Sequence, residues 1–224
     1  MNGEVSHIAK KYGKTPVLRD VSFSFRAGEA VGIIGANGSG KSTLLRILAG
    51  VQKADGGSFF WNGSDLLRAE ADKTVAYVPQ GTPLIEELSA RDNLRLWYEK
   101  DALSRSLAEG MLKALGVDEF LDKPARKLSG GMRKRLSVGC AMAGDPAVML
   151  LDEPTSALDV VAKERLMNYF NDYVRGGGAI VLVTHDTLEL ANCTRCYLLN
   201  EGTLSLCGDI DSRSLAQKLD RHEQ

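Results

Sequence analysis

Ala30-Val31-Gly32-Ile33-Ile34 runs directly into Gly35-Ala36-Asn37-Gly38-Ser39-Gly40-Lys41-Ser42-Thr43. An apolar, strand-like stretch is followed by a loop of the pattern G-x-x-x-x-G-K-[ST], and a helical pattern begins at once after it. Each residue type has a physical reason to be there. Glycines at 35, 38 and 40 let the backbone enter conformations that a Cβ penalises, so successive N–H groups can turn toward a polyphosphate. A helix starting near Lys41 brings the positive end of its dipole to the same anion. The Lys41 ammonium can reach the β- and γ-phosphates, and the Ser42 hydroxyl can ligate Mg²⁺. The stretch predicts an α/β protein that binds a nucleoside triphosphate.

Composition narrows the remaining possibilities. A chain of 224 residues with 44% apolar and 25% charged residues is an ordinary globular sequence with ample material for a core. Its formal net charge of −1 gives no electrostatic case for nucleic acid or an acidic membrane surface. No apolar stretch approaches the roughly 20 residues that span a bilayer, and the N-terminus has no signal-peptide pattern. Any role at a membrane is therefore expected to run through a partner. The four cysteines (140, 193, 196 and 207) are read as reduced thiols of a cytoplasmic protein. Cys193-x-x-Cys196 has metal or redox spacing but no second pair, and is read as having no functional role.

Working outward from the loop, Val17-Leu18-x-x-Val21-x-Phe23-x-Phe25 alternates as a half-buried strand does. The helix over 41–49 is stopped by Gly50. Ser58-Phe59-Phe60-Trp61 is closed by the hairpin dipeptide Asn62-Gly63. Thr74 to Val78 is a short strand ended by Pro79. From Pro83 to about Gly144 the pattern turns helical. Ser89 is a candidate N-cap, Leu107, Met111, Leu112 and Leu115 form one face of a single helix stopped by Gly116, and a third helix starts at Ser129. In that third helix Met132, Leu136, Cys140 and Ala143 share the apolar spacing. Arg133, Lys134 and Arg135 are expected on its solvated face. The runs 147–151 and 179–183 are continuous and apolar, as strands buried on both faces are, with a helix over about 160–175 between them. Strands are expected at Cys196–Leu199 and Thr203–Leu206, and residues 212–224 read as a polar tail.

The chemistry-bearing residues sit at the ends of these elements. Leu150-Leu151-Asp152-Glu153 places two carboxylates at the carboxyl end of a buried strand, where open α/β sheets bind ligands. Asp152 is expected to hold Mg²⁺ beside Ser42, and Glu153 to accept a proton from, or orient, the water that attacks the γ-phosphate. Gln80 offers an amide oxygen to the metal and an amide to that water. His185, after the second buried strand, could hydrogen-bond the γ-phosphate and tie it to Glu153. Ser129-Gly130-Gly131 at a helix N-terminus is a second anion site, with exposed N–H groups, a dipole and a hydroxyl. With one triphosphate already cradled by residues 35–43, that second site is expected to serve another molecule's nucleotide.

The phosphate loop GANGSGKST, Gln80, LSGGM at 128–132, AVMLLDEP at 147–154, SALD at 156–159 and His185 occur in this order over nearly the whole chain. Together they resemble the nucleotide-binding subunit of an ABC transporter. The resemblance implies an α/β P-loop NTPase core of RecA-like type, about residues 1–82 and 145–208, carrying an N-terminal antiparallel β-subdomain. A helical subdomain is inserted over about 83–144, and a C-terminal tail covers about 209–224, all within one ATPase domain. It implies ATP and Mg²⁺ as ligands and a head-to-tail dimer, with itself or a related subunit. In that dimer each ATP lies between Gly35–Thr43 of one protomer and Ser129, Gly130 and Gly131 of the other. Tyr12 is implied to stack on adenine, Asp159 to lie in the loop that couples the two sites, and Ser42, Gln80 and Asp152 to share the metal.

The same resemblance implies an integral membrane permease as partner, no nucleic acid, and a place at the cytoplasmic face of the membrane. LSGGMRKRLSV is similar to exporter-type subunits that pair with separate membrane proteins. Met132 stands where importers commonly carry Gln, so export is the expected direction, although Ala157 and Val160 replace the Gly and Pro those exporter-type subunits often carry. A soluble relative that drives assembly or remodelling of a complex is the alternative. The stretch from Gln80 to Ser129 is too short for the coiled coil of chromosome-type members, but it does not separate a transporter subunit from an assembly ATPase.

Overall fold

The computed structural model describes residues 1–67, 74–156 and 158–207. The expected tail over about 209–224 and Ala157 of the SALD segment lie outside the described residues. In chain order the strands and helices are β1 (Asn2–Tyr12), β2 (Thr15–Arg26), β3 (Ala30–Ile34), α1 (Lys41–Leu48), β4 (Gly56–Trp61), β5 (Ser64–Asp65) and β6 (Val75–Val78). There follow α2 (Ala90–Arg95), α3 (Lys100–Ala108), α4 (Met111–Ala114) and α5 (Gly130–Ala141). The chain then returns to strand and helix with β7 (Val148–Asp152), α6 (Val160–Arg175), β8 (Ala179–Val183), α7 (Thr187–Ala191), β9 (Arg195–Asn200) and β10 (Thr203–Leu206).

The strands form one sheet in the order β5-β4-β1-β2-β10-β9-β3-β8-β7-β6. Strand β3 pairs in parallel with β8 and β9, and β7 pairs in parallel with β8 and β6. All residues of β3, β7 and β8 are buried, which is why these runs read as continuously apolar. Alternate side chains serve two cores, as the period of two requires. Val148, Leu150, Val181 and Val183 pack with Leu44, Leu45, Ile47 and Leu48 of α1, whereas Met149, Leu151, Ile180 and Leu182 pack with Leu136, Leu166 and Phe170 of α5 and α6. The phosphate loop and the acidic pair thus leave the same layer of parallel strands.

The other end of the sheet is antiparallel: β1 pairs with β2 and β4, and β4 with β5. Val21, Phe23 and Phe25 of β2 point inward as their alternation requires. Phe25 packs on Phe23, Phe59 and Trp61 with ring centroids 6.0, 6.2 and 5.7 Å apart. Asn62 and Gly63 have φ of 51° and 87°, the backbone of the tight hairpin turn their dipeptide favours.

Three expectations need correction. The single helix expected through Leu107 and Leu115 is two, α3 and α4, divided at Gly110, whose backbone is extended with φ −100° and ψ −157°. Gly116 does close the pair, with φ 64°. Ala143 lies beyond the C-terminus of α5. The basic triplet of α5 is not a solvated face, because Lys134 and Arg135 are 3% and 9% exposed. Arg135 Nη1 donates to the carbonyls of Leu115 and Gly116 at 2.7 and 3.2 Å, and its guanidinium lies over the Phe120 ring at 5.1 Å. These cations cap the end of α4 and the loop after β6 from within.

Candidate functional site

The glycine-rich loop is built as its residue types require. Gly38 and Gly40 have φ of 79° and 105°, where an L side chain is strained. A Cβ on Gly35 would stand 2.4 Å from the carbonyl oxygen of Leu199. Gly40 is the N-cap of α1, so the first amides of that helix face the loop. Lys41 is only 7% exposed, and its ammonium donates to the carbonyls of Gly35 and Ala36 at 2.7 and 2.9 Å. Burial lowers its pKa, against the opposing pull of Glu153 and Asp152. Ser39 Oγ is buried without a hydrogen-bond partner.

Asp152, 4% exposed, ends β7 beside the loop. Tyr77 of β6, which pairs with Leu150, has its phenol pushed up to about 12 by burial and by the Asp152 charge. Glu153 follows with φ 47°, and its N–H donates to the Val183 carbonyl at 2.9 Å. That bond turns its side chain back toward the end of β8, where His185 Nε2 stands 3.3 Å from Glu153 Oε1. The Glu153 carboxyl is pushed up to about 7, by burial first and then by the Glu189 charge. A carboxyl that titrates near neutral pH has the proton affinity of a general base.

These groups converge on one cleft of about 650 Å³. Its walls include Tyr12, Asn37, Gly38, Gly40, Lys41, Ser42, Thr43, Gln80, Asp152, Glu153 and His185. Gly35 and Ala36 lie behind it as the carbonyls that hold Lys41. Tyr12 is 47% exposed at the rim; its hydroxyl accepts from Gln52 Nε2 at 2.6 Å and is 3.5 Å from Thr43 Oγ1. Ser42, Gln80 and Asp152 all line this cleft. One carboxylate with two neutral oxygens suits Mg²⁺ shared with phosphates, a hard cation that keeps few protein ligands. Among the described residues no cluster of three or more His, Cys, Asp or Glu side chains could hold a metal by itself.

Ser129, Gly130, Gly131 and Asp159 do not line this cleft. They meet each other elsewhere. Ser129 caps α5 by accepting from the Met132 N–H at 3.3 Å, and Asp159 caps α6 by accepting from the Ala162 N–H at 2.8 Å. A Cβ on Gly131 would stand 2.8 Å from Ala162 Cβ and 3.8 Å from Asp159 Oδ2, so the two helix N-termini lie side by side. The sequence-derived site residues therefore fall into two groups on separate surfaces.

One residue escaped the sequence reading. Glu189 on α7 is 2% exposed and accepts a hydrogen bond from Thr155, two residues after Glu153. Burial raises its pKa, while Thr155 and Thr184 lower it. Asp186 caps α7 by accepting from the N–H groups of Leu188 and Glu189 at 2.9 and 3.3 Å. The Asp186/Glu189 spacing of a helix start was the available signal, but it does not say that Glu189 turns inward.

The family model described as ABC transporter matches residues 18–156. The chain is 32% identical to the human ATP-binding cassette sub-family A member 2 over 90% of its own length, but spans only 9% of that protein. It is 36% identical to the macrolide export ATP-binding/permease protein MacB of Shewanella sp., covering 84% of this chain and 30% of that one. It is 32% identical to the probable sulfate/thiosulfate import ATP-binding protein CysA of Chlorella vulgaris, covering 97% of this chain and 93% of the relative. Among solved structures, an ATP-binding subunit of an ABC transporter superposes with a TM-score of 0.84 at 28% identity, over 98% of this chain and 94% of the other. A dimeric ATP-binding cassette in a post-hydrolysis state, bound to ADP and Pi, superposes with a TM-score of 0.80 at 27% identity, over 91% and 96%.

Proposed function

The chain belongs to the ABC transporter family of ATP-binding proteins, and from that premise we propose that it hydrolyses ATP in a head-to-tail dimer to power transport through a separate membrane permease. The observation that carries this reading is the division of the site residues. Phosphate loop, metal-binding oxygens, Glu153 and His185 share one cleft, while Ser129, Gly130 and Gly131 present a helix N-terminus beside Asp159 on another surface. Each half lacks what the other supplies, so a second protomer completes both. The exposed Val160, Val161 and Leu188 flank the second surface, and the Lys163–Asp186 ion pair joins the helices that carry them. Apolar side chains exposed at this place fit a protein interface.

Within the closed site Lys41 and the loop amides bind the β- and γ-phosphates, and Ser42, Gln80 and Asp152 hold Mg²⁺. When bound, the metal supplies positive charge to the phosphate oxygens. Glu153 accepts a proton from the attacking water, and His185 holds that carboxylate in place while bonding the γ-phosphate. Tyr12 supplies a face for the adenine. Positioning and electrostatics dominate phosphoryl transfer, so building half the site in trans makes closure a condition for chemistry. Residues 1–224 act as one ATPase domain, with a helical insertion over about 83–144. A groove of about 430 Å³ between that insertion and β6, lined by Tyr77, Pro79, Leu84, Trp97 and Cys140, suits an apolar segment of the permease. The relatives named above include one importer and one exporter; the Met132 signature supports export.

Mixing two inactive variants tests the shared site. Lys41→Ala spoils one half and Ser129→Arg the other, so each homodimer is silent. A heterodimer of the two contains one intact composite site, and an equimolar mixture should recover roughly a quarter of wild-type turnover. A mixture as silent as its components would refute the head-to-tail arrangement. The permease is tested by purifying tagged Glu153→Gln chain with ATP from gently solubilised native membranes. A polytopic membrane protein in near-equal amount is expected; soluble partners alone would favour the assembly ATPase.

A further inference from the structure

Lys134 lies in the first turns of α5, nearly without exposure, and its ammonium donates to the carbonyls of Pro79 at 2.9 Å and Gln80 at 3.3 Å. A buried ammonium persists only where acceptors replace its water, and here both acceptors belong to the short segment that leaves β6. Arg133, beside it, donates to Glu86 at 2.7 Å and to Thr82 Oγ1 at 3.4 Å. The start of α5 therefore grips the chain over residues 79–86 at several points, and Lys134 holds the end nearest the phosphate cleft. Two consecutive carbonyls converging on one cation constrain the main-chain torsions at Gln80. Those torsions set the direction of its side chain, which lines the cleft.

We propose that Lys134 is a positioning residue, tying the helix that begins at Ser129-Gly130-Gly131 to the main chain at Gln80, so that the Gln80 amide stands at the metal only when that helix is in place. The inference rests on the reading of Gln80 as a metal and water ligand. It gives the two half-sites of one protomer a mechanical link. A displacement of α5 on meeting a partner's nucleotide moves the Pro79–Gln80 carbonyls with it, and the Gln80 side chain follows. A compact ammonium suits this task, because it has three donors and can hold two carbonyls that point at one spot.

The test is a double-mutant cycle on the full chain, with Lys134→Met, Gln80→Ala and the double variant. The readouts are the Mg²⁺ concentration for half-maximal ATP hydrolysis and ATP affinity measured in EDTA. Lys134→Met should raise the half-maximal Mg²⁺ about five- to tenfold, leave ATP affinity in EDTA within about twofold, and add little in the Gln80→Ala background. Lys134→Arg, which keeps a cation with several donors, should recover most of the Mg²⁺ response. Equal losses from Lys134→Met in both backgrounds would overturn the tether, as would an unchanged Mg²⁺ response. If Gln80→Ala alone leaves rate and Mg²⁺ response untouched, the assignment of Gln80 has failed and the tether falls with it. If Gln80→Ala shifts the response and Lys134→Met does not, only the tether is refuted. Should Lys134→Met not fold, Lys134→Leu, which also removes every donor to the Pro79 and Gln80 carbonyls, reads the same cycle, and an unchanged Mg²⁺ response there would equally overturn the tether.

Discussion

Replacing Glu153 by glutamine should both stabilise the protein and silence it. The carboxyl titrates near 7 in place of its ordinary 4.5, because burial and the Glu189 charge disfavour its ionised form. At about 1.4 kcal/mol per pH decade, that difference corresponds to an ionisation cost of roughly 3 kcal/mol in the folded state. The side chain keeps 15% of its exposure, and relaxation and residual solvent around the carboxyl reduce the figure to about 1–2 kcal/mol. The sign follows from linkage. An acid whose folded pKa is raised carries no penalty below its unfolded value near 4.5, and the full penalty above its folded value near 7. Glu153→Gln should therefore match wild type near pH 4.5 and exceed it by about 1–2 kcal/mol at pH 8. Urea unfolding of nucleotide-free, metal-free protein at several pH values measures this. A glutamine variant less stable than wild type at pH 8, or a gain independent of pH, would refute the reasoning. The same variant with MgATP should lose about 10²- to 10⁴-fold in turnover, the contribution of a general base, while ATP affinity holds.

Lys41→Ala should weaken ATP binding about 100-fold, since it deletes charge-assisted bonds worth roughly 3 kcal/mol; equilibrium dialysis showing less than a threefold loss would contradict its role. Arg135→Met should cost about 2–4 kcal/mol of stability, because the Leu115 and Gly116 carbonyls lose their donor and Phe120 loses its cation. A solvated arginine would cost less than about 0.5 kcal/mol, so the urea midpoint decides between the two descriptions. Phe25→Ala, which removes the ring that packs on Phe23, Phe59 and Trp61, should cost about 3–5 kcal/mol. Glu189→Gln should raise the thermal midpoint at neutral pH and leave it unchanged near pH 4.5, because the raised pKa makes its charge a cost only above its unfolded value.

Most elements were legible because their local signals agree with their environments. The runs at 30–34, 148–152 and 179–183 are apolar at every position because both faces are covered, and Ser89 and Ser129 cap the helices they precede. Where reading failed, the deciding contact lay far along the chain. Arg133-Lys134-Arg135 looks like a wet helix face by composition, yet Lys134 is satisfied by residues more than fifty positions earlier. Spacing predicted one helix where Gly110 makes two, since the apolar spacing of Leu107, Met111, Leu112 and Leu115 does not register a break at Gly110.

The sequence by itself determined the phosphate loop, the acidic strand end and the second helix N-terminus, because each is a local backbone form that particular residue types favour. Only the tertiary structure decided which of these share a surface. Strands β3, β7 and β8 lie side by side though distant in the chain, which brings Lys41, Asp152, Glu153 and His185 to one cleft. The same packing keeps Ser129 and Gly131 off that cleft, with Gly131 against Ala162 and Asp159. It also buries Lys134 and Glu189, whose charges are tolerable only where carbonyls and hydroxyls from other elements replace water.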